Sequence, residues 1–241
     1  MNKSYLKIAI CGIPVALGCI TACSAISSIK TNDTTQDVVP SNALPYEVYD
    51  IDANNVLLGF REGIDLSRYG GICNTMQIPA RVTSIADTAF FERDGEAHTT
   101  IPSFITNLTF AENSNCSLIG ESAFYNAQAL ASANLFNCTS LTTIDTNAFM
   151  DCSSLTSVTL PSSLIKIQEF VFYWCSKLEY IAWDLPNEYE TKISIEGLNA
   201  FTNISPSGKV ESLNPQITSQ QLFDWIKDKG NFPSTGWGPA H

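Results

Sequence analysis

Between residues 138 and 178 the sequence repeats itself at a fixed distance, and few folds accommodate that. Leu155, Val158 and Leu160 are answered by Leu178, Ile181 and Trp183, Phe149 by Phe172, and Cys152 by Cys175, each 23 residues on. One offset shared by three kinds of position is a period rather than chance alternation. Fixed periods of roughly 20–50 residues mark stacked repeat architectures, in which no unit can bury its apolar face alone. The expectation is a short solenoid.

Anchoring the frame on phenylalanine extends it in both directions. Phe90, Phe124, Phe149, Phe172 and Phe201 follow Ala89, Ala123, Ala148, Val171 and Ala200. Five residues earlier stand Ile85, Ile119, Ile144 and Ile167, with Glu196 breaking the series. Eight earlier stand Val82, Cys116, Leu141, Leu164 and Ile193. Each motif is preceded by an apolar triplet: Cys73/Met76/Ile78, Ile105/Leu108/Phe110, Leu130/Ala133/Leu135, Leu155/Val158/Leu160 and Leu178/Ile181/Trp183. The last two members of a triplet are two apart, so they share one face of a short strand. Gln77, Thr109, Asn134, Thr159 and Ala182 then point the other way. Pro79 and Pro161 turn the chain off the strand.

These units resemble the BspA-type leucine-rich repeats. The unit 155–177 is nearest the family pattern, and the resemblance runs from about Thr75 to Asn203. It rests on the Pro, the Ile step, the Ala-Phe pair and the Cys recurring in order. It implies a β-rich, α/β-type leucine-rich repeat solenoid, here of about five irregular coils over 73–205. Two insertions are expected: one between Phe91 and Ser103 with Asp94-Gly95 as its turn, and one over 184–192. Tyr46 to Phe60 alternates loosely and is expected as a strand pair capping the first coil, within an N-terminal cap at 45–72. At the other end Thr218 and Gln221 form a capping box before Leu222, Phe223 and Ile226. That predicts a helix near 219–229 within a C-terminal cap at 206–241, with Gly230 as its stop.

The first 22 residues have the parts of a secretory leader. Lys3 and Lys7 are basic, and 8–20 is apolar and uncharged. The run is shorter than the roughly 20 residues that span a bilayer. It ends in Ile20-Thr21-Ala22-Cys23-Ser24, which resembles the bacterial lipoprotein cleavage box and implies lipidation of Cys23. Residues 23–44 are polar and unpatterned, as in a flexible tether. The resemblance implies an extracellular-facing, lipid-anchored location on a bacterial membrane.

Net charge narrows the partners. At −11 the surface repels phosphate backbones, so nucleic acid is not expected as a ligand. Catalytic residues are scarce. The two histidines, His98 and His241, stand in an expected loop and at residue 241. No metal-ligand or nucleophile motif surrounds them. No cofactor or metal is expected. Asp50/Asp52 and Glu92/Asp94 are the nearest acid pairs and would be the candidates for a glycan hydrolase. Cys73, Cys116, Cys138, Cys152 and Cys175 read as small apolar core residues; a Cys152–Cys175 bridge is the alternative.

Two candidate binding surfaces remain. One is the polar strand ladder with Thr109, Asn134 and Thr159. The other is the row one after the anchor Phe, comprising Phe91, Tyr125, Met150 and Tyr173. That row either packs beneath insertions and caps or joins Tyr180, Trp174 and Trp183 in an apolar patch. The family resemblance implies adhesion: a repeat domain binding a host extracellular or cell-surface protein. A passive surface coat without specific ligand is the second reading.

Overall fold

The computed structural model describes residues 39–91, 100–196, 199–229, 232–233 and 235–240. Lys3, Lys7, Cys23, Glu92, Asp94, His98 and His241, with the expectations resting on them, lie outside the described residues, as do the Asp94-Gly95 turn and the Gly230 stop.

The described residues form a β-solenoid of about six turns. It opens with a hairpin, β1 (Tyr49–Ile51) and β2 (Val56–Phe60), paired antiparallel. Strands of two lengths then alternate. The sequence runs β3 (Thr75–Ile78), β4 (Ser84–Ile85), β5 (Asn107–Phe110), β6 (Leu118–Ile119), β7 (Ser132–Asn134) and β8 (Thr143–Ile144). It continues with β9 (Ser157–Leu160), β10 (Lys166–Ile167), β11 (Tyr180–Trp183), a single helical turn α1 (Tyr189–Lys192) and β12 (Ser194–Ile195). β13 (Gly208–Ser212), helix α2 (Ser219–Asp228) and β14 (Trp237–Pro239) complete it.

Like strands stack on like. One sheet has the order β3-β5-β7-β9-β11-β13-β14 and the other β1-β2-β4-β6-β8-β10-β12. Every pairing after the hairpin is parallel, and the central coils keep the frame register: Val158 faces Ile181 and Ile144 faces Ile167. Alternation along the long strands puts Leu108 and Phe110, or Val158 and Leu160, inside and leaves Asn107/Thr109 and Ser157/Thr159 half-exposed.

A third ladder holds the coils at their corner, although no strand forms there. Phe90, Phe124, Phe149 and Phe172 donate their backbone N–H to the carbonyls of Ala123, Ala148, Val171 and Ala200 at 2.8–3.0 Å. The anchor rings point inward and stack. Centroids from Phe90 through Phe124, Phe149 and Phe172 to Phe201 are 5.3, 5.0, 5.6 and 5.5 Å apart, with planes within 19°. Burying such a ring contributes about 1.5–3 kcal/mol, and a well-placed aromatic pair adds about 0.5–1.5 kcal/mol.

The corner requires left-handed backbone on both sides of the anchor. Two residues before it, Thr88, Ser122, Asn147 and Phe170 have φ between 56° and 59°; two after it, Asn126, Asp151, Trp174 and Asn203 have φ between 58° and 61°. Polar turn residues tolerate that region, but for a bulky side chain it costs roughly 1–2 kcal/mol. Phe170 and Trp174 are the exceptions, and they share one coil.

Several expectations change on folding. Ala43 and Leu44, assigned to the tether, are buried, and the Leu44 N–H bonds the Thr75 carbonyl at 2.9 Å. Two apolar residues suffice to seat that segment against β3. The break at Glu196 is a register shift: Ile195 stands opposite Ile167. Coils continue past five, because β13 pairs with β11 and β14 with β13. Only Val210 of Lys209/Val210/Glu211 is apolar and buried, too faint a pattern to read as a repeat. The 184–192 insertion holds α1, whose Tyr189 meets Trp225 edge-on at 5.3 Å.

In α2, Thr218 and Gln221 bond reciprocally: the Gln221 N–H donates to Thr218 Oγ1 at 3.2 Å and the Thr218 N–H to Gln221 Oε1 at 2.8 Å. The helix buries Leu222, Phe223, Trp225 and Ile226 and packs on β13 and β14. All five described cysteines are buried, and Cys152 and Cys175 are not bridged. The Cys152 and Cys175 thiols donate to the Phe124 and Phe149 carbonyls at 3.2 and 3.1 Å.

Candidate functional site

The six described candidate residues fall on two different sides of the coil. Thr109, Asn134, Thr159 and Tyr180 lie on the outward face of the long-strand sheet; Tyr125 and Tyr173 lie on the corner ladder. Strand parity separates them, because a residue one past the anchor Phe belongs to the turn rather than to either sheet.

On the sheet face the outward positions form two in-register rows. One row carries Asn107, Ser132, Ser157, Tyr180 and Lys209. In the other, Gln77 stands beside Thr109, and Asn134, Thr159, Ala182 and Glu211 follow one another across neighbouring strands. Asn134 is exposed, and Thr159 and Tyr180 are half-exposed. Neighbouring polar groups partly satisfy each other: Ser132 Oγ donates to Asn107 Oδ1 at 2.7 Å, and Tyr46 Oη to Gln77 Oε1 at 2.7 Å. Thr109 Oγ1 is buried without a partner. Rows repeating at about the 4.8 Å strand spacing suit an extended backbone or a series of side chains.

On the corner ladder, Phe91 packs edge-on against Tyr125 with centroids 4.6 Å apart. They line a cleft of 240 Å³ with Phe90, Thr100, Ile101 and Ala127. Tyr173 is flanked by Phe170, edge-on at 5.2 Å, and by Trp174, stacked at 5.8 Å and 13°. Trp183, grouped with this patch in the sequence reading, is fully buried and faces Trp225 at 5.7 Å. It is the inward residue of β11, so it belongs to the core. Phe170 is absent from the sequence-based candidates. Its signal is a break in the frame, an aromatic ring where Thr88, Ser122 and Asn147 stand in the other coils.

The acids proposed for hydrolysis do not form a described pair. Asp52 is spent on its own turn, accepting from the Asn54 and Val56 N–H groups at 2.9 and 2.8 Å. Asp50 is exposed on β1. Among the described residues no three His, Cys, Asp or Glu side chains converge as a metal site. Burial pushes the Cys138 and Cys175 thiols well up, and neighbouring Cys116 and Cys152 add to it, which keeps them protonated and unreactive.

Among solved structures the chain is similar to a leucine-rich repeat protein from T. pallidum, at 20% identity and TM-score 0.49, covering 82% of this chain and 86% of that one. It is also similar to a leucine-rich cell surface protein from Faecalibacterium prausnitzii A2-165, at 19% identity and TM-score 0.41, covering 75% and 56%. A leucine-rich repeat protein from Bacteroides ovatus ATCC 8483 follows at 21% identity and TM-score 0.34, covering 70% and 54%. No curated protein matches the sequence. The model of the BspA type leucine-rich repeat region matches in six copies over residues 117–221. It thus starts after the irregular 34-residue step from Phe90 to Phe124 has begun and reaches into α2. Over those residues, where the anchors stack and the sheets pair, the chain is similar to a BspA type leucine-rich repeat region.

Proposed function

We propose that this chain is a lipid-anchored surface protein whose solenoid binds an extracellular macromolecule, a protein of a host or of a neighbouring cell. The observation that carries the reading is the pair of in-register outward rows on the long-strand sheet, with Asn134 exposed and Thr159 and Tyr180 partly exposed. Stacked repeats use extended faces of this kind for macromolecules. The leader-like residues and the box at Cys23 supply the location. Two acyl chains there would give stable anchoring, with the following polar segment holding the solenoid off the bilayer. In this reading the β1–β2 hairpin and α2 shield the two ends.

The test presents the full chain to a panel of extracellular matrix proteins and bacterial cells, beside a triple variant Asn134→Ala, Thr159→Ala, Tyr180→Ala. Saturable binding that weakens in the variant is expected; no binding to any member of the panel overturns the reading. Intact mass of the membrane-fraction protein checks the anchor. A chain starting at Cys23 with diacylglyceryl mass, lost in Cys23→Ala, is the expected result, and an unmodified chain in the medium contradicts it.

A further inference from the structure

The coil containing Phe170, Tyr173 and Trp174 breaks the rule that every other described coil obeys. At the two left-handed positions flanking the anchor the chain elsewhere places Thr88, Ser122, Asn147, Asn126, Asp151 and Asn203. Here it places phenylalanine and tryptophan with φ of 59° and 61°. Packing recovers only part of that strain, since Trp174 is 51% exposed and Phe170 is half-buried. The rings form one surface, with Tyr173 between the stacked indole and the edge-on phenyl ring.

Its surroundings are acidic. Asp151 occupies the frame position of Trp174 one coil earlier, and its N–H bonds the Tyr173 carbonyl at 2.8 Å. Glu169 directly precedes Phe170. Neither carboxylate is ion-paired among the described residues, where Lys166 pairs with Glu196 and Lys192 with Glu188. Lys177 is the other base of this coil, with Glu179 two residues on. Among the described residues no cation stands over these rings, although Arg68 and Lys229 stand over Tyr69 and Trp225.

From this we infer that the Phe170–Tyr173–Trp174 surface takes an arginine or lysine side chain from a basic protein segment, the cation lying on the indole face with Asp151 and Glu169 as counter-charges. Aromatic faces attract cations through their quadrupole, and guanidinium also stacks on them. The net charge of −11 steers the same partner. The inference rests on the proposed role in protein binding and adds a second contact side with its chemistry.

The experiment titrates the full chain with a fluorescent Arg-Gly repeat peptide and its citrulline-Gly counterpart, by anisotropy, at low salt and at about 0.5 M, where exposed charges are screened. Trp174→Asn supplies the residue found at 126 and 203, so the turn is kept. Expected are binding of the arginine peptide, about tenfold weaker with citrulline or in Trp174→Asn, and weakening at high salt. The Asn134/Thr159/Tyr180 triple variant should bind this peptide like the wild type. Equal binding of both peptides, no binding, or unchanged binding in Trp174→Asn overturns the inference. So does displacement by a neutral oligosaccharide, or a wild-type dimer in sedimentation velocity that Trp174→Asn dissolves. Loss of peptide binding in the triple variant alone also overturns it, while leaving the sheet face as the binding surface.

Discussion

The Phe149 ring lies against that of Phe172 with centroids 5.6 Å apart and planes inclined by only 11°. The two belong to neighbouring coils, and the backbone repeats the relation, since the Phe149 N–H bonds the carbonyl of Val171. Packing and hydrogen bonding therefore reinforce the same register. Phe149→Ala removes a fully buried ring with a neighbour on each side, and should destabilise the chain by about 3–5 kcal/mol in urea unfolding. Phe232→Ala, at the edge of the stack and 6% exposed, should cost less.

Trp174→Asn should leave stability within about 1 kcal/mol of wild type. The lost packing of a half-exposed indole is opposed by relief of the left-handed strain, roughly 1–2 kcal/mol for a bulky residue. A loss of about 3 kcal/mol or more in thermal or urea unfolding would show that the ring is held for packing alone.

Alkaline pH should weaken the fold. Burial pushes the Cys138 and Cys175 thiols and the Tyr49 phenol well above their ordinary values, with nearby Cys116, Cys152, Tyr46 and Cys73 adding to the effect. Raised values mean that the native state favours the neutral forms. Unfolded thiols ionise from about pH 8.5, and the phenol from about pH 10. The stabilisation is thus full below about pH 8.5 and falls as pH rises further, by up to about 1.4 kcal/mol per pH unit for each group. Tm should be flat near neutrality and decline above about pH 9, less steeply in Cys138→Ala relative to its own neutral value. A flat profile to about pH 11 would contradict this.

Gly208→Ala should destabilise the final coils. A Cβ built there collides with the Glu179 carbonyl and stands 2.7 Å from the Trp237 ring. The carbonyl belongs to the backbone and cannot swing aside. A loss of about 1–3 kcal/mol is expected, with hydrogen exchange rising first in β13 and β14.

The repeat was legible in the sequence because a solenoid imposes one local requirement again and again. The offset between Phe149 and Phe172 and the two-residue spacing of Val158 and Leu160 each follow from burying one face per unit, so periodicity carried the sheets, their register and the inward residues. The capping box at Thr218 and Gln221 was legible for a similar reason, as it needs only neighbours in sequence. Tertiary structure decided what no local rule contains. It seated Ala43 and Leu44 against β3, moved the register to Ile195, extended the long-strand sheet through Val210 alone, and drew Trp183 into the core against Trp225. It also divided the candidate residues, putting Tyr180 with Thr159 on a sheet and Tyr173 on a corner, where Phe170 and Trp174 bend the backbone against their own preference. Which side of a coil a residue occupies depends on where the chain turns, and that is set by contacts with the coils before and after it.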